Sequence, residues 1–145
     1  MQDRDAILAD ITLNIVRAAN LLERLGGSYA HEANLDSVQQ YMILSMLSFT
    51  DGLSMSELRE NTLVTKQAVT GIVERLKKGG YIDSDKDPKD RRITRVHLTS
   101  KGKNALRTIR PKRINGNREA FSILSEKEIS QLSTIVPKLI SHLKT

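Results

Sequence analysis

The chain has 145 residues and a formal net charge of +6, and 39% of its residues are hydrophobic but only 3% aromatic. This composition predicts one domain with an aliphatic core, with or without helical extensions. The absence of cysteine excludes disulfides, zinc-thiolate sites and thiol-based redox sensing within this sequence. The longest mostly apolar run, residues 41–49, is too short to span a membrane, and the first residues lack a secretory pattern, so we expect a cytoplasmic protein.

A long amphipathic helix is the first element that the sequence predicts, from about Asp5 to Gly26. Its apolar residues recur at steps of three and four, which places them on one helical face. This stripe consists of Ile7, Ile11, Ile15, Ala18, Leu22 and Leu25. We expect the Gly26-Gly27 pair to end the helix, because glycine is common just after the last helical turn.

A second helix is predicted over residues 36–49, beginning at Asp36 or Ser37. The residues expected on its buried sides are Val38, Tyr41, Met42, Leu44, Ser45 and Leu47. A third helix begins at Ser54-Met-Ser-Glu57, a capping box in which a serine and a glutamate satisfy each other's backbone amides. It is expected to end at Asn61, before a short turn at residues 63–64.

The next predicted helix is capped by Thr65 and forms a helix-turn-helix pair with the helix before it. Its apolar positions again repeat at steps of three and four. They are Ala68, Val69, Ile72, Val73 and Leu76, of which Ala68, Val69, Ile72 and Leu76 are assigned to the core. Gly79-Gly80 should stop the helix.

Two short strands are predicted at residues 81–86 and 93–98, where the pattern changes to a period of two. One face of the second strand holds Thr94, Val96 and Leu98. The loop between them, Asp87-Pro-Lys-Asp-Arg-Arg92, is a turn sequence that ends in adjacent arginines. A helix pair followed by a basic hairpin is typical of proteins that place one helix in the major groove of DNA and a loop in the neighbouring minor groove.

Basic residues are concentrated in the same part of the chain. Residues 1–60 carry 4 basic and 9 acidic side chains, whereas residues 61–113 carry 15 basic and 5 acidic ones. Because phosphate neutralisation supplies most of the sequence-independent affinity for nucleic acid, this local excess favours DNA as a partner. The alternative is an ordinary solvated surface, since lysine and arginine are mostly exposed in proteins.

Two further amphipathic helices are predicted in the C-terminal part. One opens at Thr99-Ser-Lys-Gly102 and is kinked or briefly interrupted at Pro111. The other starts at a second capping box, Ser125-Glu-Lys-Glu128, and bends at Pro137. Its apolar stripe consists of Ile129, Leu132, Val136, Leu139, Ile140 and Leu143.

The apolar stripes at the two ends of the chain must be buried against each other, against a second copy of the chain, or both. A helix-turn-helix monomer covers only one half-site on DNA, and two-fold symmetry supplies the second, so a homodimer is favoured. The alternative is a monomer in which the terminal helices cover the back of the DNA-reading part.

Three blocks of sequence together resemble the MarR (multiple antibiotic resistance regulator) family of bacterial winged-helix transcriptional regulators. They are residues 69–82, Asp87-Pro-Lys-Asp-Arg-Arg92 and Leu98-Thr-Ser-Lys-Gly102. These blocks match the family's recognition helix, wing and Leu-Thr-x-x-Gly pattern in order and spacing. The resemblance covers about residues 5–143.

The resemblance implies a mainly α fold with a small antiparallel β-hairpin. It implies a single domain over residues 1–145, with a winged helix-turn-helix core at 36–99. Helices at 1–30 and 100–145 would form the dimerisation region.

The resemblance also implies which residues contact double-stranded DNA. The N-terminal turns of the recognition helix enter the major groove in the family, which selects Thr65, Lys66, Gln67 and Thr70. Glutamine can pair with adenine and lysine can donate to guanine, while Thr65 has capping as its alternative role. In the wing, Arg92 is expected in the minor groove, with Asp90 orienting it. Phosphate contacts are expected from Ser54, Ser56, Lys89, Arg91 and Arg95.

Members of the family often bind a small aromatic or lipophilic anion that weakens DNA binding, which implies a possible effector site. The candidate residues are Tyr29, His31, Tyr41, Met42 and Met46. The alternative is that Tyr41, Met42 and Met46 only fill the core.

The two alternative functions are catalysis and the binding of another protein. The three histidines, His31, His97 and His142, are isolated in sequence, and no metal-ligand spacing or glycine-rich phosphate loop is present. Neither catalysis, nor a cofactor, nor a metal is therefore predicted. A winged helix that binds a protein instead of DNA is the second alternative, against which the basic residues Lys66, Arg91 and Arg92 argue.

Overall fold

The structure, a computed structural model, describes residues 3–62 and 65–144. The helices in these ranges are α1 (Arg4–Glu32), α2 (Val38–Phe49), α3 (Met55–Thr62), α4 (Lys66–Lys78), α5 (Ser100–Ala120) and α6 (Glu126–Leu143). The strands are β1 (Leu53–Ser54), β2 (Ile82–Lys86) and β3 (Thr94–Leu98). The predicted fold class, mainly α with a small antiparallel sheet, is confirmed, whereas the turn expected at residues 63–64 lies outside the described residues. No helix in the described ranges is long and apolar enough to cross a membrane.

Two compact units divide the chain, one ending at Pro111 and the other beginning at Lys112. The first contains α1 to α4, the sheet and the first half of α5. The boundary falls inside α5, which continues to Ala120 with the proline in its interior. Of the two alternatives predicted at Pro111, an interruption is therefore wrong, because losing one backbone hydrogen bond does not have to end a helix.

The antiparallel sheet has the strand order β1-β3-β2. In the central strand, Val96 pairs with Leu53 of β1 on one side and with Ser84 of β2 on the other. The strand β1 was not predicted, since two residues are too few to show a period of two. The largest fully buried side chains are Leu35, Ile43, Leu44, Leu58, Val69, Leu76, Ile82, Val96 and Ile109. They join α2, α3, α4 and the sheet into one core.

The prediction that Gly26-Gly27 ends the first helix is wrong, because α1 continues to Glu32. A Cβ atom on Gly26 would lie 2.7 Å from Cγ2 of Val38. Glycine at this position therefore allows α1 and α2 to approach closely. The helix ends instead near Asn34, whose φ of 62° is in the left-handed region.

Two residues assigned to the core, Ala68 and Met42, are exposed. Successive residues of a helix are about 100° apart, and the buried stripe of α4 is centred on Val69 and Ile72, so Ala68 lies outside it. In α2 the buried side contains Ile43 rather than Met42. Both errors arise because an apolar residue beside a buried stripe does not itself have to be buried.

The Leu-Thr-x-x-Gly sequence has a structural explanation at the start of α5. The Thr99 hydroxyl donates to the Gly80 carbonyl at 2.6 Å and accepts the Gly102 amide at 3.2 Å. The Thr99 amide donates to the Tyr81 carbonyl at 3.1 Å. A Cβ atom on Gly102 would overlap the Tyr81 carbonyl oxygen and lie 2.9 Å from Cδ2 of Leu98. Glycine is needed because the first turn of α5 packs directly against the backbone before β2.

Gly102→Ala is therefore expected to destabilise the protein by about 1–3 kcal/mol. Alanine favours a helix by up to about 1 kcal/mol over glycine, but the overlap is with backbone that cannot rotate away. Urea unfolding measures the difference. Gly27→Ala is the matched control, because a Cβ on Gly27 meets nothing within 4 Å. Equal stabilities of the two variants would contradict this explanation.

Candidate nucleic-acid interface

The N-terminal end of α4 is an exposed polar surface. As predicted, Thr65 caps the helix, and its hydroxyl accepts the Ala68 amide at 3.2 Å. Lys66, Gln67 and Thr70 are exposed. The Thr70 hydroxyl donates to the Lys66 carbonyl at 2.9 Å and keeps its lone pairs for a further donor. The surface thus offers amine, amide and hydroxyl groups of the kind that read base edges.

The opposite face of α4 anchors the helix in the core. Val69, Ile72, Val73 and Leu76 are between 1% and 6% exposed. Complete burial of one such side chain contributes about 1.5–3 kcal/mol. The polar surface of α4 is therefore carried by a helix that is firmly fixed to the sheet and α3.

The loop between β2 and β3, residues 87–92, is called the wing. Asp87, its first residue, makes hydrogen bonds that hold the two ends of the loop together. Oδ1 of Asp87 accepts the amides of Lys89 at 2.7 Å and Asp90 at 3.2 Å. The Asp87 amide donates to the Ile93 carbonyl at 2.9 Å. Hydrogen bonds from the Arg95 side chain and then from the Lys89 amide lower the pKa of Asp87. Asp87 is therefore a charged acceptor that organises the turn.

Arg92 projects from the wing, with its side chain 90% exposed. Its Nε lies 3.0 Å from Oδ1 of Asp90 and its Nη2 lies 3.1 Å from Oδ2. The Arg92 hydrogen bond lowers the pKa of Asp90, so the pair stays ionised. The structure thus brings together the pair that the resemblance implied, and the bidentate geometry gives the guanidinium a defined orientation.

Arg95 lies between the wing and the rest of its unit. Its Nε is 2.7 Å from Oδ2 of Asp87, and its Nη1 is 3.0 Å from the Gly52 carbonyl oxygen. The same Nη1 lies 3.6 Å from Oε1 of Glu57. Arg95, which was predicted to contact a phosphate, therefore has three partners within the protein.

The other predicted phosphate contacts occupy two places. Lys89 and Arg91 are exposed on the wing, and Ser56 is exposed in the first turn of α3. Ser54 is half-buried, and its hydroxyl accepts the Glu57 amide at 3.1 Å, which is one half of the predicted capping box. These residues belong to the same compact unit as α4.

His97, which is isolated in the sequence, links two acidic residues in the structure. Its Nδ1 is 3.0 Å from Oδ1 of Asp51, and its Nε2 is 3.0 Å from Oδ1 of Asp85. These hydrogen bonds raise the pKa of His97, and the bond to Asp51 contributes more than the bond to Asp85. The prediction of isolation is wrong because antiparallel pairing brings together residues that are far apart in sequence.

The His97 contacts predict a pH-dependent stability. Histidine in an unfolded chain has a pKa of about 6.5, and the folded value is raised, so the stabilising contribution is fully present below about pH 6.5. It is lost as the pH rises through the folded pKa. We expect the difference in urea midpoint between wild type and His97→Gln to be largest at about pH 5.5 and smallest at about pH 9.

His31→Gln, at an exposed position of α1, is the control for replacing a histidine. A difference between wild type and His97→Gln that does not change with pH would show that His97 acts without its charge.

The five residues predicted around an effector have different environments. Tyr29, Tyr41 and Met46 are half-buried and pack against the core, whereas His31 and Met42 are exposed. The extension of α1 to Glu32 places Tyr29 and His31 on a helix. The alternative that Met42 fills the core is wrong.

These elements define a class of protein. The helices α3 and α4 form a helix-turn-helix pair, β2 and β3 form a hairpin with an exposed arginine at its end, and both are built on one core. This is the arrangement of a winged helix-turn-helix protein.

Comparisons with known proteins identify the family. The MarR family model matches residues 37–93. The HTH-type transcriptional regulator PapX of Escherichia coli is 31% identical over 104 residues, which cover 70% of this chain and 63% of PapX. The transcriptional repressor MprA of Escherichia coli (strain K12) is 38% identical over 74 residues, covering 51% of this chain and 42% of MprA.

A solved structure agrees with these matches. The crystal structure of the transcriptional regulator SlyA superposes with a TM-score of 0.84 at 27% identity, covering 93% of this chain and 94% of the SlyA chain. The chain therefore belongs to the MarR family of winged-helix transcriptional regulators, which are DNA-binding proteins and not enzymes.

Proposed function

We propose that this regulator binds a pseudo-palindromic DNA operator as a homodimer and represses transcription. The observation that carries the proposal is that the exposed polar end of α4 and the exposed Arg92 of the wing belong to one compact unit. A recognition helix in the major groove and an arginine in the adjacent minor groove would then read one half-site.

Selection of bound duplexes from random DNA, followed by a gel-shift assay on the selected sites, tests this function. Recovery of a two-fold related sequence supports it. Failure to bind any duplex would favour the alternative, a winged helix that binds a protein.

The homodimer is supported by the terminal helices. In α1, Ile7, Ile11 and Ile15 are between 40% and 48% exposed. In α6 the residues Ile129, Leu132, Ile135, Val136, Leu139, Ile140 and Leu143 are between 37% and 72% exposed. A second copy would cover these apolar faces and place two recognition helices about one DNA turn, roughly 34–36 Å, apart.

Base readout is proposed for Lys66, Gln67 and Thr70, while Thr65 acts as the helix cap. Gln67→Ala should lower specific affinity by about 1–3 kcal/mol and relax the preference at one position of each half-site. Binding to a panel of operators with single substitutions measures this. An equal loss on all sequences would mean that Gln67 does not contact a base.

The wing and the segment around the start of α3 would provide the remaining contacts. We propose that Lys89 and Arg91 of the wing neutralise phosphates. The hydroxyls of Ser54, the last residue of β1, and Ser56, in the first turn of α3, would donate hydrogen bonds to phosphates. Repression is supported by the similarity to MprA, which is named a transcriptional repressor. A reporter gene with the selected operator in its promoter tests the direction of regulation, and activation of the reporter by the protein would contradict repression.

A small aromatic anion is the proposed effector. The support is the group of half-buried side chains where the end of α1 meets the core, namely Tyr29, Tyr41 and Met46, which combine phenol groups with an adaptable thioether. Exposed His31 and Met42 would take part only if they move. Titration of salicylate into the protein–operator complex, with Tyr41→Ala as the matched variant, tests the site. No release at millimolar salicylate rejects this class of ligand, and equal release from both proteins rejects the position.

A further inference from the structure

We infer that Arg95 is a positioning residue that holds the wing in its DNA-reading position, and that it does not itself contact a phosphate. The inference starts from the Asp87 carboxylate, which uses both of its oxygens. Oδ1 accepts the amides of Lys89 and Asp90, and Oδ2 accepts Nε of Arg95 at 2.7 Å. The Asp87 side chain is only 13% exposed. Arg95 therefore neutralises the residue that closes the wing.

The other end of the same guanidinium is attached to the body of the protein. Nη1 of Arg95 donates to the Gly52 carbonyl at 3.0 Å and lies 3.6 Å from Oε1 of Glu57. Gly52 is buried, and Glu57 belongs to α3, the first helix of the helix-turn-helix pair. One side chain thus joins the wing to the segment before β1 and to α3.

From Arg95 the connection reaches the residue proposed to enter the minor groove. The Asp90 amide is held by Asp87, and the Asp90 carboxylate holds Arg92 in a bidentate pair. The orientation of Arg92 therefore depends on a chain of charged hydrogen bonds that begins at Arg95. Such bonds are about twice as strong as neutral ones.

A direct phosphate contact by Arg95 is opposed by its surroundings. Its side chain is 32% exposed, compared with 90% for Arg92. To reach a phosphate, its guanidinium would have to leave Asp87 and the Gly52 carbonyl, and the carboxylate would lose its charged partner. A lysine would also be a poor replacement, since it lacks the planar fork that reaches two acceptors at once.

The wing amides of the free protein provide a test that does not need DNA. Hydrogen exchange at the Lys89 and Asp90 amides is compared in wild type, Arg95→Met, Arg95→Lys and Arg91→Met. We expect exchange to be about tenfold or more faster in both Arg95 variants, because the acceptor Asp87 is no longer held. Arg91→Met, which removes an exposed charge of the same wing, should leave exchange unchanged. Unchanged exchange in the Arg95 variants would overturn the inference.

The consequence for DNA rests on the proposed role of Arg92, and a double-mutant cycle tests it. If Arg95 acts through Arg92, Arg95→Met should weaken operator binding in the wild-type protein but have much less effect when Arg92 is already alanine. If Arg95 contacts its own phosphate, the affinity losses caused by Arg95→Met and Arg92→Ala should add, and Arg95→Lys should keep most of the affinity. Arg95→Met should then also lower the slope of log affinity against log salt by about 1 per wing, with or without Arg92. The second set of results would overturn the inference.

A different result would reject the proposed function, namely a wild-type protein that selects no operator. The hydrogen-exchange experiment needs no DNA and would still decide whether Arg95 holds the wing.

Discussion

Arg92→Ala is expected to cause a large loss of operator affinity. One arginine contact in a groove contributes about 1–3 kcal/mol, and a symmetric dimer makes it twice, so the expected loss is about 2–6 kcal/mol. The side chain is 90% exposed and makes its bidentate hydrogen bonds to Asp90, so its removal should leave the fold intact. Fluorescence anisotropy on the selected operator measures the affinity, and urea unfolding checks the stability.

Two further variants of the wing distinguish the orientation of Arg92 from the positive charge of the wing. Asp90→Ala should also weaken binding, because Arg92 then loses the carboxylate that orients it. Lys89→Ala should act mainly through the salt dependence and lower the slope of log affinity by about 1 per wing. If Arg92→Ala and Lys89→Ala behave alike, the wing contacts only the DNA backbone.

Ile11→Glu is expected to abolish the proposed homodimer. Ile11 is 48% exposed in the single chain and lies in the middle of the apolar stripe of α1. A carboxylate buried there without a partner costs about 3–5 kcal/mol, and each dimer would contain two of them. Analytical ultracentrifugation at micromolar concentration should show a dimer for wild type and monomers or aggregates for Ile11→Glu. Operator binding should fall with dimerisation.

Asn20→Glu is the matched control, because Asn20 lies about 180° around α1 from Ile11 and is already polar. It adds the same charge to the same helix and should leave the dimer intact. A wild-type protein that sediments as a monomer would reject the homodimer. Loss of the dimer in both variants would show that the added charge matters more than its place on the helix.

Local signals in the sequence were sufficient for most of the winged-helix core. Thr65 and Ser125 cap α4 and α6 as predicted, since a cap needs only a side-chain oxygen close to the first free amides. Ser37, one of the two residues predicted to begin the second helix, caps α2. The hairpin strands were placed to within one residue because their period of two and the turn sequence between them are both local. The pairing of Arg92 with Asp90, two residues apart, was implied by the resemblance of the wing to the MarR family.

Contacts between segments that are distant in sequence were not predicted. The sequence around Gly26 predicts a helix end, but Val38 of the next helix occupies the space that a side chain on Gly26 would take. Arg95 reads as one more cation in a basic region, yet its partner Gly52 is 43 residues away in sequence. His97 gained its acidic partners in the same way.

The sequence by itself therefore determined the helices, the hairpin, the basic region and the polar end of the recognition helix, because each depends on neighbours within a few residues. Only the tertiary structure decided which charged residues face solvent and which hold the wing. Arg92 and Arg95 are chemically identical and three positions apart, but the pairing of β1 with β3 places Gly52 and Glu57 beside Arg95 and leaves Arg92 exposed. The physical reason is that the role of an arginine is set by the acceptors around it, and here those acceptors come from segments that only folding brings together.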